Sequence, residues 1–299
     1  MKFGGLSICP LWAAAGILVI FSSISDAGDF IRVKKTDELV KLQTALFTYE
    51  KEGERVDLIG AVHLADRQYY EFLNDYFKKY DVLLFEMVGG ENLGVAAKVE
   101  LVQKEQEKIT EVESAVTAEG DLEPAEDSLA GLGALYGSME KALGLTGQGE
   151  VINYLAENFV HADLTLNEFQ ALQKERGESL LSFILQTRLD AEPMENEPNQ
   201  LRLLGGLLSG RSDLVKLEMM DTMAAGDEQI GTNVGENVII FDRNAKCLEV
   251  LDKQLEAGVK KIGVFYGAAH LPDLERRLVE RGFTRKSSKW LNAWVVKKK

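Results

Sequence analysis

"GAVHLADRQYYEF" fills residues 60–72 and "GAAHLPDLERRL" fills 267–278. Both open on Gly-Ala-x-His-Leu-x-Asp, five agreements in seven positions, although they lie near opposite ends of the chain. The sequence has three histidines, and His63 and His270 are two of them. Each phrase ends a β-favouring run, "RVDLIGAVH" (55–63) or "KIGVFYGAAH" (261–270), and leads into a helical pattern. In "ADRQYYEFLNDYFKKY" (65–80), Tyr69, Phe72, Leu73, Tyr76, Phe77 and Tyr80 share one helical face. "PDLERRLVER" (272–281) has proline in its first turn, Leu274 and Leu278 one turn apart, and Gly282 as a stop. A strand that turns abruptly into a helix needs small residues where its backbone nears its neighbours, which accounts for Gly60, Ala61, Gly267 and Ala268. Asp66 and Asp273 fall in the first helical turn, where an anion meets the positive end of the helix dipole. Neither packing nor capping calls for imidazole at these places. In open α/β sheets the C-terminal ends of strands are where ligands bind, and both rings belong there.

The surrounding sequence extends the pattern. "LFTYE" (46–50) and "RVDLIGAVH" form a hairpin across Lys51-Glu52-Gly53-Glu54, and "FIRV" (30–33) is a further strand. "DVLLFEMV" (81–88) is a buried strand with Glu86 near its C-terminal end. "AKCLEVLDKQLEA" (245–257) is a helix stopped by Gly258, and "NAWVV" (292–296) is the last strand. The fold class is therefore α/β (α+β), with a central mixed β-sheet built from two strand-GxxH-helix-strand units and flanked by helices. A mainly helical insertion, residues 90–235, separates the two units. Helices are predicted at 96–118, 166–176, 178–189 and 200–225, with Thr165 and Glu168 forming a capping box. "EGDLEPAEDS" (119–128) is an acidic linker, and "GLGALYGSMEKALGL" (131–145) is apolar and glycine-rich. "LLGGLLSG" (203–210) reads as a close helix-packing face and is too short for a membrane segment.

A chain of 299 residues, 45% hydrophobic and 27% charged, can bury a substantial core. Its net charge of -14 repels nucleic acid and anionic membrane surfaces unless a local basic patch intervenes, and none precedes Lys297, Lys298 and Lys299. Residues 1–27 read as a signal peptide: Lys2, the apolar run "LWAAAGILVIF" (11–21), and small residues before a cut after Ala27. That predicts an exported protein, periplasmic or secreted, with residues 28–299 as a single domain. An uncleaved N-terminal anchor is the alternative, although the run is shorter than the roughly 20 residues of a span. After cleavage Cys247 is the only thiol. There is no phosphate-binding loop, no Gly-x-Ser-x-Gly elbow and no paired-cysteine metal motif.

Four segments, "GAVH" with "LLFEMVG", "FVHADLTLNEF", "FDRNAKCLEVL" and "YGAAHLPDLERRL", resemble in order the TraB/GumN group, related to the Tiki metalloproteases and more distantly to erythromycin esterases. The resemblance implies a metal-dependent, peptidase-like hydrolase using manganese, cobalt or zinc. It makes His63 and His270 candidate metal ligands, with His161 as a third beside Asp163. Glu86 completes the coordination or serves as general base, Arg243 holds a substrate carboxylate or an oxyanion, and Asn244 orients either group. The substrate is a peptide or a small molecule.

Quieter readings stand beside these. The two histidines can make strand-end hydrogen bonds, Glu86 and Arg243 can form a structural ion pair, and His161 can be a loop contact. Cys247, among leucines, is a small core residue. At the level of function the alternatives are a non-catalytic peptide-binding protein of the pheromone-shutdown type, and a metal-independent esterase with His63 as general base.

Overall fold

The computed structural model describes residues 30–93, 137–178, 198–232 and 237–298. Its frame is a sheet whose strands run β1 (Ile31–Lys35), β2 (Leu39–Lys51), β3 (Glu54–Ala61), β8 (Lys261–Gly267), β5 (Val82–Phe85) and β7 (Phe159–His161) from edge to edge. β2 and β3 form the predicted hairpin, with Glu52 and Gly53 both at positive φ in the turn. β9 (Thr284–Lys297) lies antiparallel along the other edge of β2 from Leu39 to Glu50. It is much longer than 292–296, because its charged half "TRKSSK" lacks the apolar signal that marks a buried strand.

β3, β8, β5 and β7 are mutually parallel, and β8, from the C-terminal unit, is inserted between β3 and β5 of the N-terminal unit. The register pairs Gly60 with Tyr266 and Ala61 with Gly267, so the two phrases leave the sheet side by side. The sheet is thus mixed, antiparallel on one side and parallel on the other, as the two repeated units predict.

Helices cover both faces of the parallel part. α1 (Arg67–Phe77) crosses between β3 and β5 and buries Tyr69, Tyr70, Leu73 and Phe77. The Phe77 ring meets Phe265 and Phe159 at 4.8 and 5.7 Å. Tyr70 takes the place predicted for Phe72, which is 41% exposed. The reason is polar: the Tyr70 hydroxyl donates to Val62 O at 2.7 Å and the Tyr69 hydroxyl to Gly60 O at 2.8 Å. Side chains alternate along a strand, so Tyr266 faces away from Phe265. On that opposite face lie α6 (Arg243–Glu256), burying Cys247, Leu248 and Leu251, and α7 (Leu271–Glu280), burying Leu271, Leu274 and Leu278. A Cβ on Gly60 would sit 3.1 Å from Leu271 Cδ1 and 3.3 Å from Ala45 O, the close approach for which the glycine was read.

Within the insertion, residues 137–143 are helical. They are followed by β6 (Thr146–Gly147), which pairs with the short β4 (Leu64–Ala65), and by α2 (Gln148–Val151). α3 (Leu166–Arg176) carries the predicted capping box: Glu168 N donates to Thr165 Oγ1 and Thr165 N to Glu168 Oε2. The single helix expected at 200–225 is two, α4 (Gln200–Leu208) and α5 (Ser212–Thr232), broken where Gly210 takes φ +65°. Gly206 is buried there, and its missing side chain lets α4 approach Val215 and Leu214 of α5, the close packing read from "LLGGLLSG". The signal peptide, the 96–118 helix, the acidic linker and the 178–189 helix (from 179) lie outside the described residues.

Candidate active site

The two phrases diverge as they leave the sheet. After Ala61 the chain bends, leaves His63 exposed and enters β4, with His63 O accepting from Gln148 N at 2.9 Å. After Gly267 it coils through a 3-10 turn, Ala268–His270, straight into α7, and His270 is 4% exposed.

Asn244, in the first turn of α6, reads the second histidine. Its Nδ2 donates to His270 O at 3.0 Å and to Asp273 Oδ2 at 2.9 Å. Both partners only accept, so the amide orientation is fixed, and Asn244 Oδ1 must accept from His270 Nδ1, 2.7 Å away. The proton on Nδ1 leaves Nε2 as the variable nitrogen, and Nε2 lies 3.4 Å from Glu86 Oε1. That contact is attractive when Nε2 is protonated; when it is not, two lone pairs face one another across a gap.

Glu86 follows immediately after β5 rather than lying within the strand. Its Oε2 accepts from Gly267 N at 2.6 Å and its Oε1 from Arg243 Nη2 at 2.6 Å. The same Nη2 reaches Asp163 Oδ2 at 2.6 Å, while Arg243 Nε spans both Asp163 oxygens at 3.0 and 3.2 Å. A five-residue turn of π-helix, Val238–Asp242, sets the start of α6 and so aims this guanidinium. One arginine thus faces two carboxylates, with Asp163 wholly buried and Glu86 12% exposed. Burial raises the Glu86 pKa, but the Arg243 charge, followed by His270 and His63, more than offsets it and holds the carboxyl well below the usual range. Arg243 has the mirror response: burial lowers its pKa, and Glu86 and Asp163 raise it further.

Two chemical consequences follow. A carboxylate held so low has little appetite for a proton, so Glu86 suits charge stabilisation better than proton abstraction. The Arg243, Glu86 and Asp163 triplet carries one net negative charge, which a proton on a neighbouring imidazole would balance. His270 contacts Glu86 directly, and a positive charge on His63 would lower the same carboxyl, so both phrases bear on Glu86.

His161 stands apart. It pairs with Phe85 across β5 and β7, its ring lies 5.6 Å from that of Phe85, and its Nε2 contacts Met87 O at 2.7 Å. It therefore makes the backbone contact of the quieter reading, while Asp163, two residues on, belongs to the cluster. Sequence reasoning missed Tyr154 and Gln148, on the insertion. The Tyr154 phenol is pushed up to about 12, by burial first and in part by Glu86. Gln148 Nε2 lies 2.6 Å from Tyr154 Oη, and its Oε1 is buried without a partner among the described residues. No motif marks either residue. Cys247 is fully buried and its thiol is pushed up by burial, in keeping with a core role.

A divalent ion needs several converging donors. The 3.4 Å between His270 Nε2 and Glu86 Oε1 suits two atoms sharing a coordination sphere with bonds of about 2.0–2.2 Å. Arg243 already occupies that oxygen, and among the described residues no three histidine, cysteine or acidic side chains converge for a metal. As placed, the described residues do not fit a divalent ion.

No protein-family model, no curated protein and no solved structure matches the chain, so the likeness to the TraB/GumN group rests on its four motifs alone.

Proposed function

We propose that this chain is an exported hydrolase of acyl bonds, peptidase-like or esterase-like, acting on a peptide or small-molecule substrate at the C-terminal ends of β3, β8 and β5. The observation that carries the reading is that His270 contacts a buried, arginine-clamped carboxylate at the strand ends where His63 also emerges, exposed. His63 is the exposed imidazole and serves as general base. It takes a proton from water as the water oxygen bonds to the acyl carbon, and returns it to the leaving nitrogen or oxygen as that bond breaks. Glu86 favours the positive charge passing onto His63, and His270, held by Asn244, keeps Glu86 in place. Arg243 is committed to two carboxylates, so it organises the site rather than receiving substrate.

A second reading keeps the divalent ion that the resemblance implies, manganese, cobalt or zinc, on the strength of the His270 to Glu86 spacing. It requires Glu86 Oε1 to exchange Arg243 for the ion. The third is a peptide-binding protein without turnover. The test is a screen of peptide and ester libraries with the purified protein, in chelator and with each metal, alongside His63→Ala and His270→Ala. Turnover in chelator that falls by about 10²–10⁴ in His63→Ala supports the general-base reading. Turnover that vanishes in chelator and returns with metal favours the second, and binding without turnover overturns both.

A further inference from the structure

The sequence shows no basic patch ahead of its last three lysines, but the fold builds one. A cavity of about 660 Å³ lies between the outer end of the sheet and the α4–α5 pair. Its lining draws Lys35 from β1, Arg202 from α4, Arg211 from the turn before α5, and Lys297 and Lys298 from the end of β9. Asp213, Glu218 and Asp221 share the lining and pair with Arg211, Arg202 and Lys35. Lys297 and Lys298 have no carboxylate partner among the described residues. The lining is therefore net cationic on a chain of net charge -14.

α4 connects this cavity to an unusual surface. One side of the helix is spent inward: Leu203 packs on the core and Gly206 is buried against α5. On the side left outward, Leu201 and Leu208 are 82% and 80% exposed, and Leu204 and Leu207 are also exposed. Leu201, Leu204 and Leu208 follow i, i+3, i+7 spacing, so they form one stripe. Exposed leucines in a stripe, on a helix that also borders a net cationic cavity, are the composition of a helix lying in a lipid interface.

We infer that the leucine stripe of α4 and the cationic cavity beside it dock on an anionic membrane surface, the leucines entering the acyl boundary and Lys297 and Lys298 meeting headgroup phosphates. The charge pattern selects this occupant. A second copy of the chain would bring Arg202 and the same cations against their own kind, whereas anionic lipid complements them. The attachment is peripheral, since no helix among the described residues is long and apolar enough to cross a membrane. It is also independent of the chemistry proposed for the crevice.

The test is flotation of the protein from residue 28 with phosphatidylcholine vesicles, with and without phosphatidylglycerol. The expected result is binding to the anionic vesicles only, weakened by salt. Leu201→Gln with Leu208→Gln should reduce it by about tenfold or more. Lys297→Gln with Lys298→Gln should reduce it about fivefold for each lysine. All four positions are exposed, and unchanged circular dichroism and melting temperature would show that the variants fold. No flotation, flotation indifferent to the leucines, or leucine-dependent self-association in its place would each overturn the inference.

Discussion

Residues 60–66 and 267–273 carry one phrase into different surroundings. The first bends after Ala61, adds β4 and leaves His63 exposed; the second coils directly into α7 and buries His270. The variable positions account for much of the difference. Pro272, with its preset φ and no N–H, suits the first turn of a helix, and α7 begins at Leu271. Ala65, at the matching position in β4, pairs with Thr146 of β6, and the insertion supplies that partner. The shared residues thus set how each strand leaves the sheet, while the neighbours decide what each histidine can do. One stands exposed to solvent and the other is buried between Asn244 and Glu86.

The largest expected effect comes from removing the cation that clamps Glu86 and Asp163. Arg243→Met leaves Glu86 and Asp163 buried together without a cation, which should destabilise the fold by about 3–5 kcal/mol. Chemical denaturation of the variant measures this. A loss under 1 kcal/mol would mean that the two buried carboxylates do not depend on this guanidinium.

The histidines themselves sharpen the contrast. His270→Ala strands Asn244 Oδ1 in a buried setting and should cost about 1–3 kcal/mol. His63→Ala, at an exposed position, should stay within about 0.5 kcal/mol. Both should abolish turnover, so stability and activity separate at one site and move together at the other. Equal losses of stability would erase the distinction.

Acid should act through the cluster. Glu86 and Asp273 have folded-state pKa values below their unfolded ones. The stability they contribute is therefore full above the ordinary carboxylate range, about 4, and is lost as pH falls through the lower folded values. The contribution of these two carboxylates should be constant above about pH 5 and fall beneath it, with a shallower acid limb in Glu86→Gln. A limb unchanged in that variant would show that Glu86 carries no linked proton.

Much of this frame was legible from sequence, for identifiable reasons. The hairpin, α1, α6 and α7 announce themselves through turn glycines and apolar spacing, which are local signals. The quoted motifs named Glu86, Asp163, Arg243, Asn244 and His270, which the structure brings together. Their connections were not legible, because Arg243 reaches Asp163 and Glu86 across 80 and 157 residues of chain. Gln148 and Tyr154 escaped because nothing local distinguishes a glutamine on a helical turn from one over an active site. The basic cavity escaped for the same reason, being assembled from separate segments of the chain.

The smallest expected effect tests the last shared position of the phrases. A dipole argument treats Asp66 and Asp273 alike, yet Asp66 is the residue before α1, with no capping bond from its side chain. It binds Lys216 Nζ at 2.9 Å and Val295 N at 2.8 Å, ties that fasten α5 and β9 to α1. Asp273 instead accepts from Asn244 Nδ2 and pairs with Arg276 and Arg277, so it orients the amide that fixes the His270 tautomer. Asp66→Asn and Asp273→Asn should each cost about 1 kcal/mol, but only Asp273→Asn weakens one of the two acceptors that orient Asn244, His270 O being the other. Imidazole ¹⁵N shifts would then report a mixture of His270 tautomers in that variant and a single Nδ1–H form in the other. The same spectrum from both would mean that Asn244 holds His270 without help from Asp273, and that the two aspartates, unlike the two histidines, are equivalent after all.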